Sequence, residues 1–136
     1  MTVQHLLDTV CNWAEQQADV RAVALVGSHA RGNARADSDI DLVILSTNPT
    51  RYVTDHRWIE TFGGVLQSEV EDWGNVQSVR VFYRSGFEVE FGFASVDWAS
   101  LPLEKGTREV LQRGVMILLD RDGNLARALE GLLRSW

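Results

Sequence analysis

The sequence predicts a small α/β (α+β) domain: a mixed β-sheet with helices packed on one side. Three observations carry that prediction. VRAVALV and DIDLVIL are short, nearly unbroken apolar runs bounded by turn residues, as buried strands are. VQSVRVFY and FEVEFGFA alternate apolar and polar residues on either side of Ser85-Gly86, as the arms of a hairpin do. Residues 3–18 and the stretch after Gly123 repeat apolar residues at helical spacing.

In chain order, Leu6, Leu7, Val10, Ala14 and Ala18 form one helical stripe, with Asp8, Glu15 and Gln16 elsewhere on the surface. A strand follows over 20–26 and stops at Gly27. Residues 28–38 are small and polar and predict a turn with at most one short helical turn. The second strand, 39–45, is ended by Ser46-Thr47-Asn48-Pro49. A helix is expected over 51–62, closed by Gly63-Gly64. The hairpin pairs 76–83 with 87–94. The first strand alternates Val79, Val81 and Tyr83 against Arg80, Phe82 and Arg84; in the second, Phe87, Val89, Phe91 and Phe93 face one way and Glu88, Glu90 and Gly92 the other. After Pro102 come a helix at 104–113 and a fifth strand in GVMILLD. A last helix presents Leu125, Leu129, Leu132, Leu133 and Trp136. The expected order is α-β-β-α-β-β-α-β-α.

Composition narrows the function classes. The 136 residues suit a single domain, 1–136. Thirteen basic residues against 19 acidic ones give a net charge of −6, which disfavours a non-specific nucleic-acid binder. Twelve of the basic residues are Arg and only Lys105 is Lys. No apolar run approaches the ~20 residues of a membrane span, and MTVQHLLDTV has no basic stretch of a secretory leader. Cys11 is the only cysteine, which excludes an internal disulfide and a multi-cysteine zinc site. A cytoplasmic protein without a membrane partner is expected.

The chemistry-bearing residues begin with Asp39 and Asp41. Residues two apart on a strand point to one side, so both carboxylates leave the start of the most apolar strand together. Two carboxylates that close repel unless a cation or proton lies between them, and such a pair suits Mg²⁺. Gly27-Ser28 ends the preceding strand in a tight turn where a phosphate can approach the backbone. Glu90 is the third acid. It sits mid-strand beside Gly92, whose small size is expected to leave room for ions, and an inward carboxylate there is costly unless paired or metal-bound. Glu88 shares its side but lies nearer the hairpin tip, so solvent exposure is expected for it.

The composite GSHARGNARADSDIDLVI, with the later GFEVEFGFA, resembles the signature of the polymerase-β-type nucleotidyltransferase superfamily, in its minimal nucleotidyltransferase branch. The resemblance covers residues 20–95, and the tail GVMILLDRDGNLARAL is similar to the end of small members. It implies the nucleotidyltransferase fold and metal-dependent transfer of a nucleotide, expected to be AMP from ATP, to a hydroxyl with release of pyrophosphate. By that resemblance Asp39, Asp41 and Glu90 are catalytic metal ligands for two Mg²⁺ ions, and Gly27, Ser28 and Arg31 bind the nucleotide phosphates. His29 receives no role and Arg35 lies in a variable spacer.

The acceptor is left open by the motif. Larger relatives that modify aminoglycosides carry an extra helical domain for the drug, for which 136 residues leave no room. Two versions follow: a HEPN-type toxin partner that completes the site or is itself the substrate, or a homodimer with a small molecule such as an aminoglycoside across its interface. An inactive nucleotide-binding or interaction module is the third reading, and retention of all three acids argues against it. Trp73 or Trp98, beside the hairpin, are the expected exposed aromatics for a partner.

Other signals are bland. LLDRDGNL is similar to a phosphatase nucleophile loop, for which too little chain follows, and to the start of a calcium loop, whose later ligands and terminal Glu are missing. Asp122 or Asn124 is read as the cap of the last helix. His5, His29 and His56 lack metal-ligand spacing. The five tryptophans are read as packing residues.

Overall fold

A computed structural model describes residues 2–134. Helix α1 (Val3–Glu15) is capped by the Thr2 side chain, which accepts from the His5 amide at 3.0 Å, and it buries Leu6, Leu7, Val10, Trp13 and Ala14. Strand β1 (Val20–Val26) leads through Gly27 into the one-turn helix α2 (Ser28–Arg31), then to β2 (Ile40–Ser46). Helix α3 (Thr50–Thr54) and a 3₁₀ segment (Arg57–Phe62) precede β3 (Val65–Asp72), β4 (Gln77–Tyr83) and β5 (Glu88–Ser95). Helix α4 (Lys105–Gln112), β6 (Val115–Asp120) and α5 (Asn124–Arg134) complete the described chain. Trp136 lies outside the described residues.

The strands form one mixed sheet in the order β3-β4-β5-β2-β1-β6. Only β2 and β5 run parallel, and their register sets Asp41 beside Glu90. The hairpin register sets Arg80 opposite Glu90 and Phe82 opposite Glu88. The mixed sheet is the one expected, with three corrections.

First, helices cover both faces rather than one side. Val23 and Leu25 of β1 pack with α1 and the aromatic group Trp13, Tyr52, Phe62, Phe91 and Phe93. Ala22, Ala24 and Val26 pack on the other face with Leu111 of α4 and Leu125, Ala128 and Leu132 of α5. Alternation along one apolar strand gives two buried surfaces, and each needs its own cover.

Second, β3 is a sixth strand. It lies at the sheet edge, paired only with β4, with Leu66 and Val70 exposed. Backbone pairing holds it, so its side chains show no apolar period.

Third, the helix expected at 51–62 is broken. Asp55 is extended (φ −120°, ψ 110°), and its carboxylate accepts from the Arg57 amide and guanidinium, a local bond that competes with the helix.

The last helix is capped differently from the expectation. Asp120 accepts from the amides of Leu125 (3.1 Å) and Ala126 (2.9 Å). Asp122 instead pairs with Arg21 at 2.7 Å, and Asn124 accepts from Arg127. No helix among the described residues is long and apolar enough to cross a membrane.

Candidate active site

The site opens on the α4 side of the sheet, over β4, β5 and the start of β2. On β5 this face carries Glu90 and Gly92, whereas the opposite face carries the buried Val89, Phe91 and Phe93. Asp39, just before β2, joins Asp41 and Glu90 there. Each offers a carboxylate oxygen, and the three oxygens lie within 4.8 Å of one another. Their convergence follows from the short apolar strands: β2 and β5 are locked side by side by core residues on the far face, and the acids must share the near one.

Asp41 is the most perturbed of these groups. Burial, then the charge of Asp39, then hydrogen bonding and charge from Glu90 push its carboxyl up to about 7. Its Oδ1 is buried and has no hydrogen-bond partner among the described residues. An orphaned buried oxygen beside two more carboxylates fits a cation ligand, because a divalent ion supplies the charge and the contact that the protein does not.

Gly27 touches this group directly. It has φ +76°, a conformation that L side chains rarely adopt. A Cβ built on it falls 2.3 Å from Asp41 Oδ2, so the turn between β1 and α2 closes on Asp41 only because residue 27 is glycine. Ser28 opens α2 and Arg31 closes it. The Arg31 stem runs past Gly114, and the residue is exposed with no ion pair among the described residues. His29 Nε2 lies 3.4 Å from the Ser38 carbonyl oxygen, and the Arg35 amide donates to Ser38 Oγ, so both residues shape the spacer.

Arg80 is the residue the sequence reading missed. Its side chain is only 18% exposed and faces four carboxylates. Nε donates to Glu71 Oε1 at 2.6 Å and Nη1 pairs tightly with Glu88. Nη1 also lies 3.3 Å from Asp39 Oδ2, and Nη2 lies 3.2 Å from Glu90 Oε2. Burial opposes the Arg80 charge, but Glu71, Glu88 and Glu90 outweigh it and raise its pKa. Glu88, expected in solvent, is therefore half-buried and paired. The signal was the hairpin arithmetic: a turn at Ser85-Gly86 puts residue 80 across from residue 90.

Glu90 Oε1 accepts from Trp73 Nε1 at 3.1 Å. Trp73 is 61% exposed, as expected, whereas Trp98 is buried in the second core and is no partner surface. Trp73, Asn75, Asp41 and Glu90 rim a cleft of about 360 Å³ that runs to Glu104 and Thr107 at α4. Asn75 Nδ2 donates to Glu104 across it at 2.5 Å. Gly92 does not open space for ions: a Cβ there would meet Val76 at 3.0 Å and the Leu42 carbonyl at 3.1 Å, so it admits close packing instead.

The family model for streptomycin adenylyltransferase matches residues 1–131. Among solved structures, an aminoglycoside 6-adenyltransferase from Bacillus subtilis is similar at TM-score 0.60 and 17% identity, over 73% of this chain and 37% of that one. Cid1 in complex with the UTP analogue UMPNPP is similar at TM-score 0.50 and 16% identity, over 80% of this chain and 32% of that one. The chain thus spans about a third of the length of these structures. None of the curated proteins matches it.

Proposed function

The chain belongs to the streptomycin adenylyltransferase family, within the polymerase-β-type nucleotidyltransferase superfamily, and from that premise we propose that it moves a nucleotide, AMP from ATP, to a hydroxyl of a small aminoglycoside-like acceptor. The observation that carries this reading is Asp41 Oδ1, a buried oxygen without a hydrogen-bond partner among the described residues, on a side chain that converges with Asp39 and Glu90. Asp39, Asp41 and Glu90 would hold divalent metal, two Mg²⁺ ions. When bound, such ions activate the attacking hydroxyl and neutralise the phosphates.

The chain's own residues do the rest. The Gly27 turn presents the Ser28 and His29 amides and the Ser28 hydroxyl to phosphate oxygens, while the Ala30 and Arg31 amides donate to the Gly27 carbonyl. Arg31 adds a positive charge at the far end of that turn. Trp73 orients Glu90 and offers an exposed ring at the rim of the cleft. Glu104, at the α4 end of the cleft, adds an acidic side chain that suits a cationic acceptor.

The test is transfer of α-labelled ATP to a panel of aminoglycosides with Mg²⁺. The expected result is a labelled drug and pyrophosphate, lost with EDTA and with Asp41→Asn. Label appearing only on an added partner protein would replace the acceptor assignment. Absence of transfer together with absence of triphosphate binding would overturn the reading.

A further inference from the structure

We propose that Arg80 is a positioning residue that stands in for the site's cation before metal arrives and gives way to it, so that the chain binds divalent metal alone only weakly. This rests on the reading of Asp39, Asp41 and Glu90 as metal ligands. Around one guanidinium lie four carboxylates, Asp39, Glu71, Glu88 and Glu90, and two of them, Asp39 and Glu90, also converge on Asp41.

The contacts are graded. The tight ones, to Glu71 and Glu88, lie on the β3 and hairpin-tip side. The long ones, 3.3 Å to Asp39 and 3.2 Å to Glu90, reach into the group that converges on Asp41. A guanidinium and a metal ion compete for the same carboxylate lone pairs, and the two cations repel each other. The two long contacts would therefore give way when Asp39, Asp41 and Glu90 hold a divalent ion. Glu71 and Glu88 keep the Arg80 head and give it a place to withdraw to. Without them, Arg80 would have to choose between the metal ligands and open solvent.

The arrangement has two consequences. In the metal-free state Arg80 offsets part of the repulsion among the acids and holds Glu90 in place, together with the Trp73 indole on its other oxygen. The same charge lowers the affinity for a bare ion, so productive binding awaits metal that arrives with its triphosphate.

Manganese titration followed by electron paramagnetic resonance, without nucleotide, tests this on the wild type, Arg80→Met, Arg80→Lys and Asp41→Asn. Arg80→Met should bind Mn²⁺ about tenfold more tightly than wild type, the scale expected when a full charge is removed a few ångströms from a divalent ion in a partly solvated site. Arg80→Lys, which keeps the charge, should stay within about threefold of wild type on the same ground. General damage to the fold would weaken binding, so the sign separates the two explanations. A folded Arg80→Met that binds no more tightly, or Arg80→Lys as tight as Met, overturns the proposal. A wild type whose Mn²⁺ binding is insensitive to Asp41→Asn overturns the metal-site reading beneath it. Should Arg80→Met not fold, a wild-type crystal structure with Mn²⁺ decides: Arg80 parted from Asp39 and Glu90 but still on Glu71 and Glu88 supports the proposal, and Arg80 still touching Asp39 and Glu90 beside the ion refutes it.

Discussion

Asp41→Asn should stabilise the metal-free protein at alkaline pH while abolishing transfer. In the folded chain the Asp41 carboxyl is raised from 3.8 to about 7, by burial first and then by Asp39 and Glu90. A raised carboxyl favours the fold when protonated, so its contribution is full below the unfolded value and is lost as pH rises through about 7. At about 1.4 kcal/mol per pH unit, the full difference would approach ~4 kcal/mol. Asp41 is only partly buried, and solvent screening reduces this to about 1–3 kcal/mol. For a chain of this size that is roughly 3–10 °C in Tm. The assay is thermal unfolding in EDTA between pH 5 and pH 8.5. Wild type should lose stability as pH rises towards 7 and level off above it, and the Asn variant much less, so that Asn is the more stable at pH 8 and the gap narrows towards pH 5. Saturating Mg²⁺ with triphosphate should reverse the order at pH 8. An Asn variant no more stable than wild type at pH 8 in EDTA would refute the electrostatic argument.

Gly27→Ala places a methyl group 2.3 Å from Asp41 Oδ2 in a φ +76° backbone; it should cost about 1–3 kcal/mol in denaturant unfolding and lower transfer at least ~100-fold, a few kcal/mol of transition-state energy. Asp120→Ala removes the acceptor for two amides at the start of α5 and should cost about 1–2 kcal/mol, with kcat unchanged in the transfer assay. Asp122→Ala, breaking the exposed pair with Arg21, should leave Tm nearly unchanged. Trp73→Phe removes the donor to Glu90 Oε1 and should lower kcat with little change in Tm, because the ring is largely exposed.

The parts of the fold legible in the sequence were those whose side chains are buried in a regular pattern. β1, β2, the β4–β5 hairpin and α1 each carry apolar residues at the period of their element. β3 is a strand through its backbone bonds to β4, and an edge strand with exposed Leu66 and Val70 has no burial pattern to read. The α3 region looked continuous because its apolar spacing is helical, while the break depends on the Asp55 carboxylate bonding its neighbours. Helices on both faces were implicit in the unbroken apolar run of β1, which the one-sided expectation overlooked. In the site, Asp39, Asp41 and Glu90 were found as residues that a water-exposed strand would not need there. Arg80 was hidden because an arginine on the polar side of a hairpin looks solvent-facing until the register sets it among four acids. Glu88 was misjudged for the same reason. Gly92 needed the position of Val76, which was expected to open the hairpin strand and instead lies just before β4.

The central claim is that Asp39, Asp41 and Glu90 bind a nucleoside triphosphate through divalent metal. Calorimetric titration of ATP into the protein, with Mg²⁺ and with EDTA, tests it most directly. Three carboxylates in one cleft repel a polyphosphate until cations neutralise them. Binding should therefore be measurable with Mg²⁺ and at least about tenfold weaker with EDTA, and Asp41→Asn should lose that gain from Mg²⁺. Equal affinity with Mg²⁺ and EDTA, unchanged by Asp41→Asn, would contradict the account and put the nucleotide elsewhere.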